Sequence, residues 1–191
     1  YSTSNDKNHT DSLDYDFVPG AVTDEKFYYQ NFSLNTFINH KFNTRNTIRT
    51  GGVIHYKLYD FNIFEFDWDD SRAFIRRGMN KGATTMLEAY FQWKFRINEK
   101  VDINSGVHYT QLMLNNDFSV EPRLGVKWKV NPKHIINFGA GLHSKPDAIW
   151  KHLAEQTNAN NEITYPNKDL KMKKAAHIVL GHNWLFNPNV N

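Results

Sequence analysis

The chain of 191 residues contains no cysteine, which excludes a disulfide framework, thiolate metal sites and cysteine catalysis. It has no run of 18 apolar residues, so no transmembrane helix is expected. Lysine and arginine never gather into a dense block, and a net charge of +3 with a pI near 8.9 is modest. A nucleic-acid partner is therefore not expected. HExxH, a nucleophile elbow, paired catalytic carboxylates and a glycine loop leading into a helix are all missing. Ser144, Asp147 and His143 are close in sequence, but neighbours on an extended segment face different ways and do not converge as a triad. Neither an enzyme nor a cofactor is expected. A start at Tyr1, without Met or a signal peptide, is what a mature, trimmed or excised chain would show.

What the chain does have is rings and alternation. Aromatic residues make up 15% against only 40% apolar overall, so rings serve something beyond filling a core. In Val120, Pro122, Leu124, Val126, Trp128 and Val130 the even positions are apolar, whereas Glu121, Arg123, Lys127 and Lys129 occupy the odd ones. Successive side chains of a strand point to opposite faces, so such a strand has one greasy and one wet side. The pattern predicts about seven long strands near 31–42, 47–59, 84–96, 101–114, 119–130, 134–144 and 173–186, in an all-β antiparallel up-and-down meander. Phe37 is the one misplaced ring of the first.

Residues 1–25, rich in Ser, Asn, Asp and Thr, read as an outer loop segment before a β-barrel segment over 26–191. Two long loops are expected, over 60–83 and 145–171, the first with one helical turn around Ser71 to Arg77. Asn187-Pro188-Asn189 is expected to close the last strand. Alternation alone does not say whether the apolar face meets lipid or an internal core. A soluble all-β barrel or sandwich that binds a ligand has the same pattern turned inside out.

Three features favour lipid. The segments are long, with short turns at one end and mostly longer loops at the other. Phe42, Trp93, Phe95, Trp128, Trp184 and Phe186 cluster beside the short turns on the apolar register, where an interfacial girdle would sit. Seven strands is odd, whereas bacterial single-chain barrels close with an even number, so part of a larger transmembrane β-barrel is expected. Leu87, Phe91, Val107, Leu124, Phe138 and Leu180 should then face lipid, and Glu88, Arg123 and His143 the lumen.

Ala89-Tyr90-Phe91-Gln92-Trp93-Lys94-Phe95-Arg96, then Asn104-Ser105-Gly106-Val107-His108-Tyr109, then Glu121-Pro122-Arg123-Leu124-Gly125-Val126-Lys127-Trp128 resemble consecutive strands of TonB-dependent outer-membrane receptors. Gly139-Ala140-Gly141-Leu142-His143-Ser144, Asn167-Lys168-Asp169-Leu170 and His177-Ile178-Val179-Leu180-Gly181 continue the resemblance in order. It implies a barrel of about 22 strands around an N-terminal plug, in the outer membrane of a Gram-negative bacterium. It also implies energy-coupled import of a scarce small molecule, glycan or peptide, with outer-membrane lipid and a periplasmic TonB-type coupling protein as partners. Neither plug nor coupling box is visible in these residues, so about a third of such a barrel is expected here.

Candidate substrate contacts on the lumenal register and the loops are Glu121, Arg123, His143, Trp150 and Trp68, with Tyr165 beside them. Opposite charges such as Glu121 with Arg123, or Glu88 with Lys94, also arise as structural ladders in a wet barrel. His55, His108, His143 and His177 share the polar register without the spacing of a preformed metal site, and read as polar lumen residues at different heights. Gly51, Gly125, Gly139, Gly141 and Gly181 point inward, leaving room for a plug or relieving curvature.

Overall fold

The computed structural model describes residues 1–13, 16–68, 73–158 and 160–186. The expected closing turn Asn187-Pro188-Asn189, and Asp69, Asp70, Ser71 and Arg72 of the expected first loop, lie outside the described residues.

Eight strands form one antiparallel sheet in the order β1 (Ser2–Leu13), β2 (Pro19–Lys41), β3 (Asn46–Phe66), β4 (Phe74–Arg96), β5 (Val101–Leu112), β6 (Asp117–Asn131), β7 (His134–Lys145) and β10 (Lys173–Trp184). Between β7 and β10 lie a short helix α1 (Ile149–His152) and a two-residue ribbon, β8 (Gln156–Thr157) with β9 (Ile163–Thr164). No described helix is long and apolar enough to cross a membrane, which leaves crossing by strands open. β2 to β7 and β10 run through the seven alternating segments, and the sheet is an open meander with β1 and β10 at its edges.

The register joins the apolar positions into one face. Phe91 lies opposite Val107 and Val107 opposite Pro122; Leu124 lies opposite Ala140, and Ala140 opposite Ile178. Phe32, Leu34, Ile38, Ile54, Phe91, Val107, Leu124, Ile178 and Leu180 of this face are all exposed. Soluble monomers rarely leave so large a contiguous apolar surface open. The other face carries Glu88, Arg123 and His143. A soluble barrel with its greasy side inward would need the apolar face packed, yet the long segment 146–172 folds over the polar one.

Three short turns share one device. Asn43, Asn98 and Asn131 each accept two backbone N–H bonds on Oδ1, from residues two and three ahead, at 2.8–3.0 Å. An Asn side chain that stands in for a backbone acceptor closes a tight turn without further residues. All three turns lie at the end of the sheet where Trp93, Trp128 and Trp184 stand, consistent with the interfacial girdle.

Two expectations are corrected at the opposite end. Within residues 1–25, Ser2–Leu13 and the chain from Pro19 onward are strand and not loop: β1 pairs with the outer half of β2, from Ser2 opposite Asn31 to Leu13 opposite Pro19. Its side chains are polar on both faces and almost all exposed, so neither face gave an apolar signal and the backbone ladder supplies the order. The described residues of 60–83 are likewise mostly strand, because β3 continues to Phe66 and β4 starts at Phe74; of the expected helical turn, Phe74 to Arg77 are strand, and its start lies outside the described residues. The physical reason is an inversion of polarity. Below Leu58 the apolar side chains of β3 face out; above it Asp60 and Asn62 face out, while Tyr59, Phe61 and Ile63 turn in and are buried. Beyond the apolar band the outer surface meets water, and the inside has something to pack against.

That something is α1. Tyr59, Phe61, Ile63, Ile149 and Leu153 form one buried cluster, with Phe27, Tyr29, Leu114 and Trp150 against it. Small residues opposite make room: a Cβ at Gly82 would lie 2.7 Å from the Tyr59 hydroxyl, and one at Gly78 3.3 Å from the Phe61 ring. Glu155 fixes the far side of the segment to β4, accepting from Arg76 Nε at 2.8 Å and donating its own N–H to the Arg77 carbonyl at 2.8 Å. His152 is 1% exposed and donates Nδ1–H to the Lys168 carbonyl at 3.3 Å.

Candidate functional site: a roofed lumenal vestibule

Where residues 146–150 cross the polar face they roof a half-open concavity of about 950 Å³. A chain of polar contacts steps across six strands along its floor and beyond. Ser33 Oγ on β2 lies 2.8 Å from His55 Nδ1 on β3. The other nitrogen of His55 is 3.4 Å from Glu88 on β4, and the second Glu88 oxygen is 3.2 Å from His108 Nε2 on β5. His108 Nδ1 is 3.5 Å from Glu121 on β6, which accepts from Ser144 on β7. Ser33 with His55 and His108 with Glu121 are directly opposite, the two Glu88 contacts are diagonal, and Glu121 reaches Ser144 just beyond the end of the β6–β7 ladder.

Glu121 is the hub. It is 2% exposed and accepts from Arg123 Nη2 at 2.6 Å, from Ser144 N–H at 2.9 Å and from Ser144 Oγ at 2.5 Å. A buried carboxylate is tolerated when its lone pairs are met in this way. Glu121 and Arg123 are thus a tight pair, as a structural ladder requires. His55, opposite Met86, and His108, opposite Tyr90, both reach Glu88 diagonally, and the rings of His143 and His177 meet edge-on at 4.9 Å. His55 and His108 thus stand at different levels of the ladder, joined through Glu88, while His143 and His177 touch across β7 and β10. Among the described residues no three His, Asp or Glu side chains gather as a metal site would need.

Glu121, Arg123, His143 and Trp150 all line this concavity. Trp68 does not: it is exposed at the tip of the β3–β4 hairpin, 4.6 Å from the Phe66 ring. Tyr165 lies outside the lining as well. Sequence reasoning missed Phe27, Tyr29, Asn31 and Lys57, which form the opposite wall. Their signal was the inward register of β2 and β3: Asn31 and Lys57 lie within the expected strands, and Phe27 and Tyr29 continue that register beyond the start of the first. Burial, with a smaller contribution from the charge of Asp6, pushes the Tyr29 hydroxyl up to about 12, so it serves as a neutral donor.

Nearer the short turns, a second concavity of about 810 Å³ is lined by Asn35, Asn39, Arg49, Gln92, Lys94 and Asn104 among others. Here Phe37 finds its reason: it points inward beneath the Arg49 guanidinium, 4.8 Å from its ring centroid, with Tyr90 on the other side. Tyr90 in turn covers Gly51, where a Cβ would meet its hydroxyl at 2.9 Å.

The roof is hinged on acid–base contacts outside the apolar band. Asp147 at its start accepts from Lys173 at its end at 2.8 Å, with Lys151 at 3.6 Å. The hydrogen bond from Lys173 is the main cause that holds the Asp147 carboxyl below its usual range. Asp117 accepts from Met172 N–H at 2.7 Å and lies 3.1 Å from Lys171. Burial opposes its ionisation, but these bonds outweigh burial and lower its pKa too. Carboxylates depressed on folding contribute stability that is present above their unfolded pKa and lost as pH falls through the folded one. Emission from Trp150 should therefore stay constant between pH 7 and 5 and report roof opening only below about pH 4. Opening already at pH 6 would contradict this assignment.

A one-layer sheet, greasy on one face and wet on the other, with a chamber on the wet side, defines the wall of a transmembrane β-barrel seen from its lumen. The family model described as TonB dependent receptor-like, beta-barrel, matches residues 1–190, and the chain belongs to that family. The family comprises outer-membrane receptors and transporters of Gram-negative bacteria that work with TonB. No curated protein matches the chain.

Proposed function

We propose that this barrel wall serves energy-coupled import of a scarce nutrient, with the vestibule under segment 146–172 as the chamber that holds the substrate before it passes inward. The observation that carries this reading is the folding of that segment onto the polar face, which makes a half-open, hydrogen-bonding chamber on the outer side of the lumen. Trp150 and Ile149 supply an apolar ceiling, and Arg123, His143 and Ser144 supply polar groups at the floor. Such a mix holds a ligand by shape and orients it by a few placed hydrogen bonds. Nothing in it supplies covalent chemistry: the substrate binds, and force from a periplasmic TonB-type protein, acting through a plug in the lumen, releases it to the other side.

Deleting the gene and deleting the host's TonB should abolish growth on the same limiting nutrient. Growth that is lost with the gene but kept without TonB would overturn the reading. Surface binding of that nutrient should survive loss of TonB, because capture precedes the energy-dependent step.

A further inference from the structure

We infer that the vestibule receives a polyhydroxylated acid, a sugar unit bearing a carboxylate, with Lys57 as the charge that meets it. The inference rests on the reading of the vestibule as the substrate chamber, and it names what that chamber takes.

The charges around the chamber are mostly spent on one another. Arg123 is held by Glu121 and Lys173 by Asp147. Glu88 is shared between His55 and His108. Lys57 points inward from β3, is largely shielded, and makes no hydrogen bond or ion pair among the described residues; the Glu88 carboxylate acts on it only from beyond contact distance, and Lys145, the other lining cation without a contact partner, is exposed. An unpaired ammonium drawn partly out of water is costly to keep unless something negative visits it. Asp6, the remaining lining acid, is exposed on β1 at the rim and is bonded to Ser4 Oγ at 2.5 Å.

Beside Lys57 stand two further unspent groups. Asn31 lies directly opposite Lys57 across the β2–β3 ladder, and Tyr29 is the next inward residue of β2. Asn31 Oδ1 and the Tyr29 hydroxyl are shielded from bulk water and have no hydrogen-bond partner among the described residues. Native proteins seldom leave such atoms unpaired, so each marks a place where a ligand group completes the set. Oδ1 accepts only, and therefore calls for an O–H or N–H; the ammonium calls for an anion; the phenol serves either. Phe27 and Trp150, 6.1 Å apart at their centroids, add flat apolar surface against which the C–H face of a sugar ring packs.

An acidic peptide would offer the same charge, but the chamber suits it less. Peptides are held chiefly by main-chain pairing to a free strand edge. Around Asn31 and Lys57, β2 and β3 are paired on both sides and offer side chains only, the arrangement that reads hydroxyl groups.

The test is titration calorimetry on the full-length protein in detergent, with three probes: an oligogalacturonate, its neutral methyl ester, and triglutamate. A glucuronate-bearing disaccharide serves as a second acidic sugar. An acidic sugar should bind at least about tenfold more tightly than the ester. Lys57→Gln should bring its affinity down to near that of the ester, while Asn31→Leu should weaken both. Equal affinity of acid and ester, no binding of either acidic sugar, or tighter binding of triglutamate would each overturn the assignment. The comparison of acid with ester uses the unaltered protein, so it stands even if the Lys57 variant fails to fold. Failure here with TonB-dependent growth intact would leave the import reading standing and remove only the ligand class.

Discussion

Phe61→Ala should cost the roof of the vestibule about 3–5 kcal/mol, the range for truncating a fully buried phenylalanine. Phe61 is 1% exposed and sits between Tyr59, whose ring centroid is 6.0 Å away, and Phe27 at 6.5 Å. The space it leaves cannot collapse, because β2, β3 and β4 are held at fixed spacing by their backbone ladders. Those same ladders keep the strands in place, so the loss falls on what is held only by side chains, namely α1 and the segment around it. Three kcal/mol corresponds to about a hundredfold rise in the open population. Limited proteolysis of the full-length protein in detergent reads this directly: cleavage within 146–172 should accelerate by about that factor, with the strands uncut. An unchanged cleavage rate would mean that the roof is held by its ion pairs and not by the aromatic cluster. Capture of ligand should weaken in parallel, since Trp150 belongs to both the cluster and the chamber.

This cluster also shows where the sequence was legible and where it was not. The strands and which of their faces is greasy follow from alternation, because a period of two over a dozen residues leaves few other structures possible. Phe91, Val107 and Leu124 could be assigned to one face before any pairing was known. Tyr59, Phe61 and Ile63 could not. They sit in the opposite register from Ile54 and Tyr56, and a reading that follows one register through a strand sees them as the strand's end. The inversion at Leu58 marks the change of solvent outside the wall from lipid to water, and recognising it requires knowing that a segment distant in sequence returns to cover the inside. The same holds for the polar floor. Glu121 and Arg123 were visible as neighbours on one face, yet Ser144 was not visible as a partner, and neither was the bridge of Glu88 between His55 and His108. Register between strands is a tertiary quantity, set here by three Asn-closed turns and by the one-residue bulge between Ile63 and Phe64. Lys57 was passed over for a related reason: its significance lies in lacking a partner, which no sequence records.

Glu121→Ala should be the most damaging change to the floor, at about 3 kcal/mol. The side chain joins three strands at the point where the roof departs from β7. Its removal strands the Ser144 N–H and hydroxyl away from solvent and frees Arg123 and His108 from their shared acceptor. Arg123 is 42% exposed and regains water, so its share of the loss is small, and the two Ser144 bonds carry most of it. Glu121→Gln separates these contributions: an amide oxygen still accepts from Ser144, so this variant should lose about half as much. Hydrogen exchange at the Ser144 amide is the sharpest measurement, because that N–H has its only acceptor in Glu121. Protection there should fall by about a hundredfold in the alanine variant and about tenfold in the glutamine variant, while amides in the middle of β5 and β6 stay protected. A stability change within about 0.5 kcal/mol, the ordinary effect of a surface substitution, would show that Glu121 is not the hub that ties the floor to the roof. If it is the hub, loosening it also moves the base of the roof away from Lys57, and the affinity for an acidic ligand should fall even though Glu121 is itself an acid and its removal takes a repulsive charge out of the chamber.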